Sequence, residues 1–314
     1  MELIRGLHNL NLHCQDSAGC VATIGNFDGV HLGHQAILRQ VQQKAVELGA
    51  ISVAMVFEPQ PREFFAAEHA PPRLMRFREK FNAIKHAGVE RLLCLQFNSA
   101  LRKLSADAFV KEVLVDGLAL KHLVVGDDFR YGCDRSGDFD HLQVAGARYG
   151  FTVENTCTVE SGGERVSSTR VRDMLEQGDL TQAAALLGRP YTLSGRVTMG
   201  NQIGRTIDVP TANLPLYRDK TALNGVFSVQ ARINSETFNG VANIGKRPSV
   251  DGLICPILEV HLFDFNRDIY GERMEVQFQK KLREEKKFNS LDELKENIHN
   301  DIQQAKEYFQ NQPN

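Results

Sequence analysis

The feature that most restricts this chain is a change of rhythm part-way along it. Between residues 20 and 187 short apolar runs alternate with helical patterns, whereas after Gly188-Arg189-Pro190 strand follows strand. Cys20–Ile24 reads as a strand. After a glycine-rich turn, residues 34–48 set Ile37, Leu38, Val41, Ala45 and Leu48 on a helical period. Residues 51–57 are β-rich and almost wholly apolar, as suits a strand covered on both faces. Further strands are expected at 91–96, 122–126 and 151–156, with helices at 76–87, 106–115, 138–149, 168–177 and 180–187. Strict alternation implies an α/β domain, a parallel sheet with helices packed on it. Such sheets take ligands beyond the carboxyl ends of their strands.

The second part reads as strands at 191–198, 225–233, 237–244, 257–263 and 274–278, separated by Gly, Asn and Pro. That spacing predicts a small antiparallel β-barrel. A last amphipathic helix, from Ser290 or Leu291 to about Phe309, has Leu291, Leu294, Ile298 and Ile302 on one face. Ser290 with Glu293 three residues on fits a capping box. The expected domains are therefore 1–187 and 188–314, in keeping with 314 residues at roughly 150 per domain.

Charge narrows the partners. Lys and Arg number 37 against 39 acids, a net charge of −2, so the bulk attraction that polyanion binders use is missing. No apolar run approaches the roughly 18 residues of a membrane span, and residues 1–12 lack the unbroken apolar stretch of a signal peptide. Cys14, Cys20, Cys94, Cys133, Cys157 and Cys255 are scattered without a C-x-x-C pair, which suits reduced thiols in the cytoplasm. The expectation is a cytoplasmic protein acting on small molecules, with neither nucleic acid nor membrane as partner. Self-association is compatible with this.

Two constellations carry chemistry. The first, Gly25-Asn-Phe-Asp-Gly-Val-His-Leu-Gly-His34, lies between the first strand and the first helix. A helix starting there aims free N–H groups past the strand end, where an anion such as phosphate is favoured. His31 and His34, three apart, share one side of the helix entrance and can donate to phosphate oxygens. The alternatives are a metal pair, for which a third ligand at a recognised spacing is missing, or simple capping and packing. Neither a dinucleotide fingerprint nor a P-loop is present.

This segment resembles the G-x-F-D-G-x-H-x-G-H signature of the HxGH nucleotidylyltransferase superfamily, in the form found in bacterial FAD synthetases. Phe57-Glu-Pro-Gln-Pro61, Gly126-Asp-Asp-Phe-Arg-Tyr-Gly132 and Arg165-Val-Ser-Ser-Thr-Arg-Val-Arg172 fit in order. The resemblance implies a Rossmann-like domain that transfers the adenylyl group of ATP to FMN. It implies His31 and His34 as catalytic contacts to the ATP phosphates, with Gly25, Asn26, Phe27, Asp28 and Gly29 lining the nucleotide. Asp128, where related sequences often have Asn, and Arg165, Ser168 and Thr169 complete that set. Ser167 or Ser168 is equally an ordinary helix cap. FMN's phosphate is already largely dianionic at neutral pH, so positioning and positive charge suffice, without a general base.

The second constellation spans residues 195–213. Glycines at 195, 200 and 204 with Arg196 and Arg205 make a loop able to wrap phosphates, although such a stretch is also an ordinary turn. Thr211 and Asn213, two apart on an extended segment, share a face and can bind one hard cation. The stretch resembles riboflavin kinases (flavokinases), and the likeness continues through Asn224–Phe227, Gly240–Pro248, Leu258–His261 and Ile269–Gly271. It implies Mg²⁺ on Thr211 and Asn213, ATP phosphates under Gly200, Gly204 and Arg205, and Glu259 as catalytic base toward riboflavin. Glu259 shares its strand face with Ile257, His261 and Phe263, where a carboxylate asks for a reason. Asp208, where the family usually has Gly, and Ser249 in place of Thr depart from the pattern. ATP, riboflavin and FMN are then the substrates and Mg²⁺ the cofactor. A non-catalytic flavin-binding regulator would lack these chemical residues, and all of them are present.

Overall fold

The computed structural model describes residues 1–10, 18–126, 128–156, 158–200, 209–248 and 254–312. They form two compact units, residues 1–70 with 76–166, and residues 71–75 with 167–314.

The first unit is built on strands β1 (Glu2–Arg5), β2 (Cys20–Ile24), β3 (Ile51–Glu58), β4 (Arg91–Gln96), β5 (Leu120–Val125) and β6 (Thr152–Asn155), in the order β1-β4-β3-β2-β5-β6. Every neighbouring pair is parallel. Helices α1 (Leu32–Leu48), α2 (Pro61–Phe65), α3 (Phe77–His86), α4 (Ser99–Arg102), α5 (Ala106–Ala108) and α6 (Phe139–Tyr149) connect them, α5 running on as a π-helical stretch over Phe109–Val115. Alternation along the strands sorts the core. Val21 and Val124 pack with Val41 and Ala45 of α1, while Ala22, Ile24, Leu123 and Val125 face the larger cluster with Met55, Val110 and Leu142. Both faces are thus covered, which is why β2 is buried along its whole length and β3 over most of it. The order reverses between β2 and β5, so the ligand crevice is expected beyond their carboxyl ends. The two loops that leave there are 25–31 and 126–132.

The edge strand β1 and the two-stranded hairpin β7 (Glu160–Ser161) and β8 (Glu164–Arg165) were not expected from the sequence. Each is too short for its alternation to stand out.

In the second unit α7 (Ser168–Gln177) and α8 (Leu180–Leu187) pack on each other, and α8 packs on the barrel strand β14 (Arg273–Arg283). Packing therefore divides the chain at 166/167, ahead of the change of pattern at 187/188. Helical periodicity shows that a helix has a buried face but does not say which neighbour covers it. Residues 71–75 join this unit through backbone carbonyls: Tyr191 Oη donates to Leu74, Arg218 to Arg73 and Arg172 to Pro72, at 2.7–3.1 Å.

The barrel has strands β9 (Thr192–Arg196), β10 (Ala212–Pro215), β11 (Gly225–Ile233), β12 (Glu236–Pro248), β13 (Ile254–Leu262) and β14, in the antiparallel order β10-β13-β12-β11-β14-β9. A bridge between Thr198 and Asn213 nearly closes it. Leu193, Leu214, Phe227, Leu258, Val260 and Val276 are buried. Outside, Val226, Val241 and Phe263 are covered by Ala305 and Ile302 of α9 (Leu291–Gln310). Ser290 Oγ accepts from Glu293 N–H at 3.1 Å, as expected of the cap. Glu293 answers to the Asn289 N–H at 3.0 Å. That bond, with Lys286 beside it, holds the Glu293 carboxyl below its usual range.

Candidate active sites

At the end of β2 the backbone does not simply turn. Phe27 and Val30 both sit at left-handed φ, 46° and 42°, and both side chains are buried. Left-handed φ is costly for a bulky or β-branched residue, so packing around the loop holds it there. The result is His31 as N-cap of α1. Its Nδ1 accepts from His34 N–H at 3.3 Å, which places the ring proton on Nε2. The His31 and His34 rings then stack 3.7 Å apart between centroids, inclined by 17°. Phe27 supports them, its ring 5.1 Å from His34. A Cβ on Gly33 would stand 3.1 Å from the His31 ring and 3.4 Å from the carbonyl of Val166, so the absence of a side chain lets the start of α1 and the end of the β7–β8 hairpin meet. Asp28 is buried and Asn26 exposed.

The sequence-distant residues Asp128 and Arg165 are brought together as an exposed ion pair, Oδ1 to Nη2 3.7 Å. Arg165 ends β8, directly before the Val166 carbonyl that abuts Gly33. The crevice edge of the first unit thus gathers His31, His34, Asp128 and Arg165. Ser168 and Thr169 lie in the first turn of α7, in the second unit, and the cap there is Ser167, whose Oγ accepts from Arg170 N–H at 3.2 Å. Among the described residues no three His, Cys, Asp or Glu side chains converge as a metal site.

In the barrel, Asn213 and Glu259 are register partners across β10 and β13, and Asn243 is the partner of Glu259 on its other side, on β12. Directly opposed residues share a face, so the three side chains form a row. Leu258, Val260 and Leu262 are buried on the alternate positions, whereas Ile257, Glu259 and His261 are half-buried. Glu259 therefore stands on the outer face of the barrel. There it lines a cavity of ≈ 200 Å³ with Thr211, His261, Val226, Val241, Phe288, Leu294 and Ile298. A second cavity, on the other side of Thr211, is lined by Phe265, Asn266, Arg267 and Tyr270. Burial pushes the His261 imidazole down, partly opposed by its hydrogen bond with the Pro210 carbonyl at 2.9 Å. A half-buried pair, Arg283 to Asp301 at 2.9 and 2.7 Å, ties β14 to α9 at the cavity wall.

Two family models match successive parts of the chain: FAD synthetase over residues 13–170 and riboflavin kinase over 187–309. A bifunctional riboflavin kinase/FMN adenylyltransferase of Pseudomonas fluorescens is 53% identical over 306 residues, covering 98% of this chain and 97% of the relative. The Escherichia coli K12 protein of that description is 47% identical over 310 residues, covering 98% of each. The chain belongs to the bifunctional riboflavin kinase/FMN adenylyltransferase family. It is accordingly a kinase and nucleotidyltransferase of FAD biosynthesis, with the nucleotidyltransferase half first. A solved structure described as a macrolide-efflux protein from Streptococcus pneumoniae shares the architecture, with TM-score 0.81 and 30% identity over the whole of both chains. No described helix of this chain is long and apolar enough to cross a membrane.

The kinase half offers a test for its cation. Asn213 is 5% exposed, and its Oδ1 is buried with no hydrogen-bond partner among the described residues, while Nδ2 donates to the Thr211 carbonyl at 3.3 Å. A buried acceptor left over beside a threonine hydroxyl suits a hard cation, which takes oxygen ligands. A Cβ on Gly200 would run into the Asn213 carboxamide, so the glycine keeps that amide in place. Gly204 and Arg205, like Asp208 and Ser249, lie outside the described residues. In the adenylyltransferase half sequence reading passed over an aromatic cluster beyond β3 and β4. Phe57, Phe64 and Phe65 meet Phe97 edge-on at 5.3–5.8 Å, and Arg102 covers Phe65, which is 57% exposed. Phe57 near the end of β3 and three phenylalanines past the ends of β3 and β4 were the available signal.

Proposed function

We propose that each reaction has its own site: FMN adenylylation at the β2–β5 crevice, riboflavin phosphorylation at the barrel's Thr211–Glu259 face. The functional division is 1–187 and 188–314, although α7 and α8 pack with the second unit. The observation that carries this reading is the separation of the two chemical sets. The stacked histidines belong to one unit, and the Asn213–Glu259–Asn243 row to the other.

In phosphorylation, riboflavin enters the cavity walled by Val226, Val241 and Phe288. Its 5′-hydroxyl oxygen attacks the γ-phosphorus of ATP, the hydroxyl proton passes to Glu259, and ADP leaves. The nucleotide occupies the cavity beyond Thr211, so Thr211 stands between donor and acceptor. Thr211 and Asn213 would hold Mg²⁺, which when bound offsets negative charge on the transferring phosphate. In adenylylation the FMN phosphate oxygen attacks the α-phosphorus of ATP and pyrophosphate leaves. His31 and His34, with the N–H groups opening α1, donate to phosphate oxygens as charge builds, and Arg165 adds a cation. The exposed Phe65 ring offers the isoalloxazine a stacking surface. Gly25, Asn26, Phe27, Asp28 and Gly29 shape the loop, Phe27 acting from below through His34. Reduced thiols at Cys20, Cys94 and Cys133 accord with a cytoplasmic setting.

The test is chromatographic. Glu259→Gln is expected to stop FMN formation and spare FAD formation from supplied FMN. Loss of both reactions in a folded variant contradicts the assignment.

A further inference from the structure

His261 lies on β13 two residues past Glu259, and both line the cavity that Thr211 borders. Its Nδ1 is 2.9 Å from the carbonyl oxygen of Pro210, the residue before Thr211. A carbonyl only accepts, so Nδ1 carries a proton and donates. The ladder between β10 and β13 begins with Ala212 opposite Val260, which leaves Thr211 one residue outside it. Asn213 is secured differently. It sits inside the ladder opposite Glu259, and its carbonyl takes both the N–H and the Oγ1 of Thr198, at 2.8 and 3.2 Å. The two oxygen donors assigned to the cation are thus held by different means, Asn213 by main chain and Thr211 by side chains. The carbonyls on either side of the Thr211 Cα accept from His261 Nδ1 and from Asn213 Nδ2.

We propose that His261 is a positioning residue for phosphoryl transfer, whose Nδ1–H clamps the Pro210 carbonyl and so aims the Thr211 hydroxyl at the cation and nucleotide. The imidazole acts through Thr211 and touches no substrate. The proposal rests on the reading of Thr211 as a cation ligand. An outer group that orients a metal ligand typically affects metal affinity by about 10–100-fold. The same scale is expected here.

The test uses the full-length chain, titrating Mg²⁺ at saturating riboflavin and ATP and measuring FMN. His261→Phe keeps a ring against Phe263, which His261 meets edge-on at 5.9 Å, but removes the donor. His261→Asn keeps a donor close to the place of Nδ1. His261→Phe should raise the Mg²⁺ needed for half-maximal rate about tenfold, with riboflavin KM changed less than twofold. His261→Asn should recover most of that loss. Combining His261→Phe with Thr211→Ala should add nothing to Thr211→Ala alone. If His261→Phe lowers the melting temperature but leaves the Mg²⁺ midpoint in place, while Thr211→Ala moves it, His261 is structural and the proposal fails. If Thr211→Ala also leaves the midpoint in place, the cation assignment itself fails and takes the clamp with it.

Discussion

Asn213 and Glu259 face each other across the β10–β13 ladder, a carboxamide oxygen with no hydrogen-bond partner among the described residues opposite a half-buried carboxylate. Backbone register alone thereby brings the proposed base and a proposed cation ligand to one place. The backbone positions in that row are set when the barrel forms.

Gly200 tests the row from outside it. Its missing Cβ is where the Asn213 amide lies. Gly200→Ala should displace that amide and cut the rate of FMN formation by at least tenfold, with a higher Mg²⁺ requirement and unchanged adenylylation of supplied FMN. Initial rates over a Mg²⁺ series check this.

Glu259→Gln keeps the shape but removes the proton acceptor. A positioned general base typically contributes about 10²–10⁴-fold, and a loss of that size in kcat is expected with riboflavin KM little changed. Steady-state kinetics at fixed ATP and Mg²⁺ give the answer.

For the histidines the expected losses fall on the other reaction. His31→Ala with His34→Ala should lower FAD formation from FMN by at least about 10²-fold, the scale of removing one transition-state donor. Because His31 also caps α1, the change should cost about 1 kcal/mol of stability as well. Urea unfolding separates that from the catalytic loss, since His31→Asn restores a cap but not an imidazole.

Much of this was legible in the sequence because burial on both faces or on one face leaves a periodic record. Residues 225–233, 168–177 and 180–187 were read with the bounds they have in the structure. β10 was not read as a strand: its four residues end in a proline and follow Pro210-Thr211, and Thr211 with Asn213 reads as chemistry before it reads as structure. The pairing of Asp128 with Arg165 was also out of reach, because it depends on a two-residue strand, β8, and on a loop. The aromatic cluster at Phe97 needed the sheet order, which sets β3 beside β4, before phenylalanines 40 or so residues apart could be seen as neighbours.

A pH dependence follows from His122 on β5. Its Nδ1 is 2.6 Å from Thr152 Oγ1 and its Nε2 3.2 Å from Glu154, yet burial outweighs the carboxylate and pushes the imidazole down. The unfolded chain, with an ordinary value of about 6.5, then binds the proton more readily than the folded one. Stability from this group is full above that value and is lost as pH falls below it. An NMR titration of His122 should give a midpoint under about 6.5, and His122→Asn should flatten the fall in melting temperature between pH 7 and 5.5.

The most direct test mixes two crippled chains. Glu259→Gln and the His31→Ala/His34→Ala double variant, each unable to make FAD from riboflavin, are combined in equal amounts with riboflavin, ATP and Mg²⁺. Riboflavin, FMN and FAD are followed by chromatography. Two separate sites joined by free FMN predict that FMN rises first and FAD follows, in the mixture only. A mixture that makes FMN but no FAD, or in which either variant alone has lost both reactions while folded, would contradict the account.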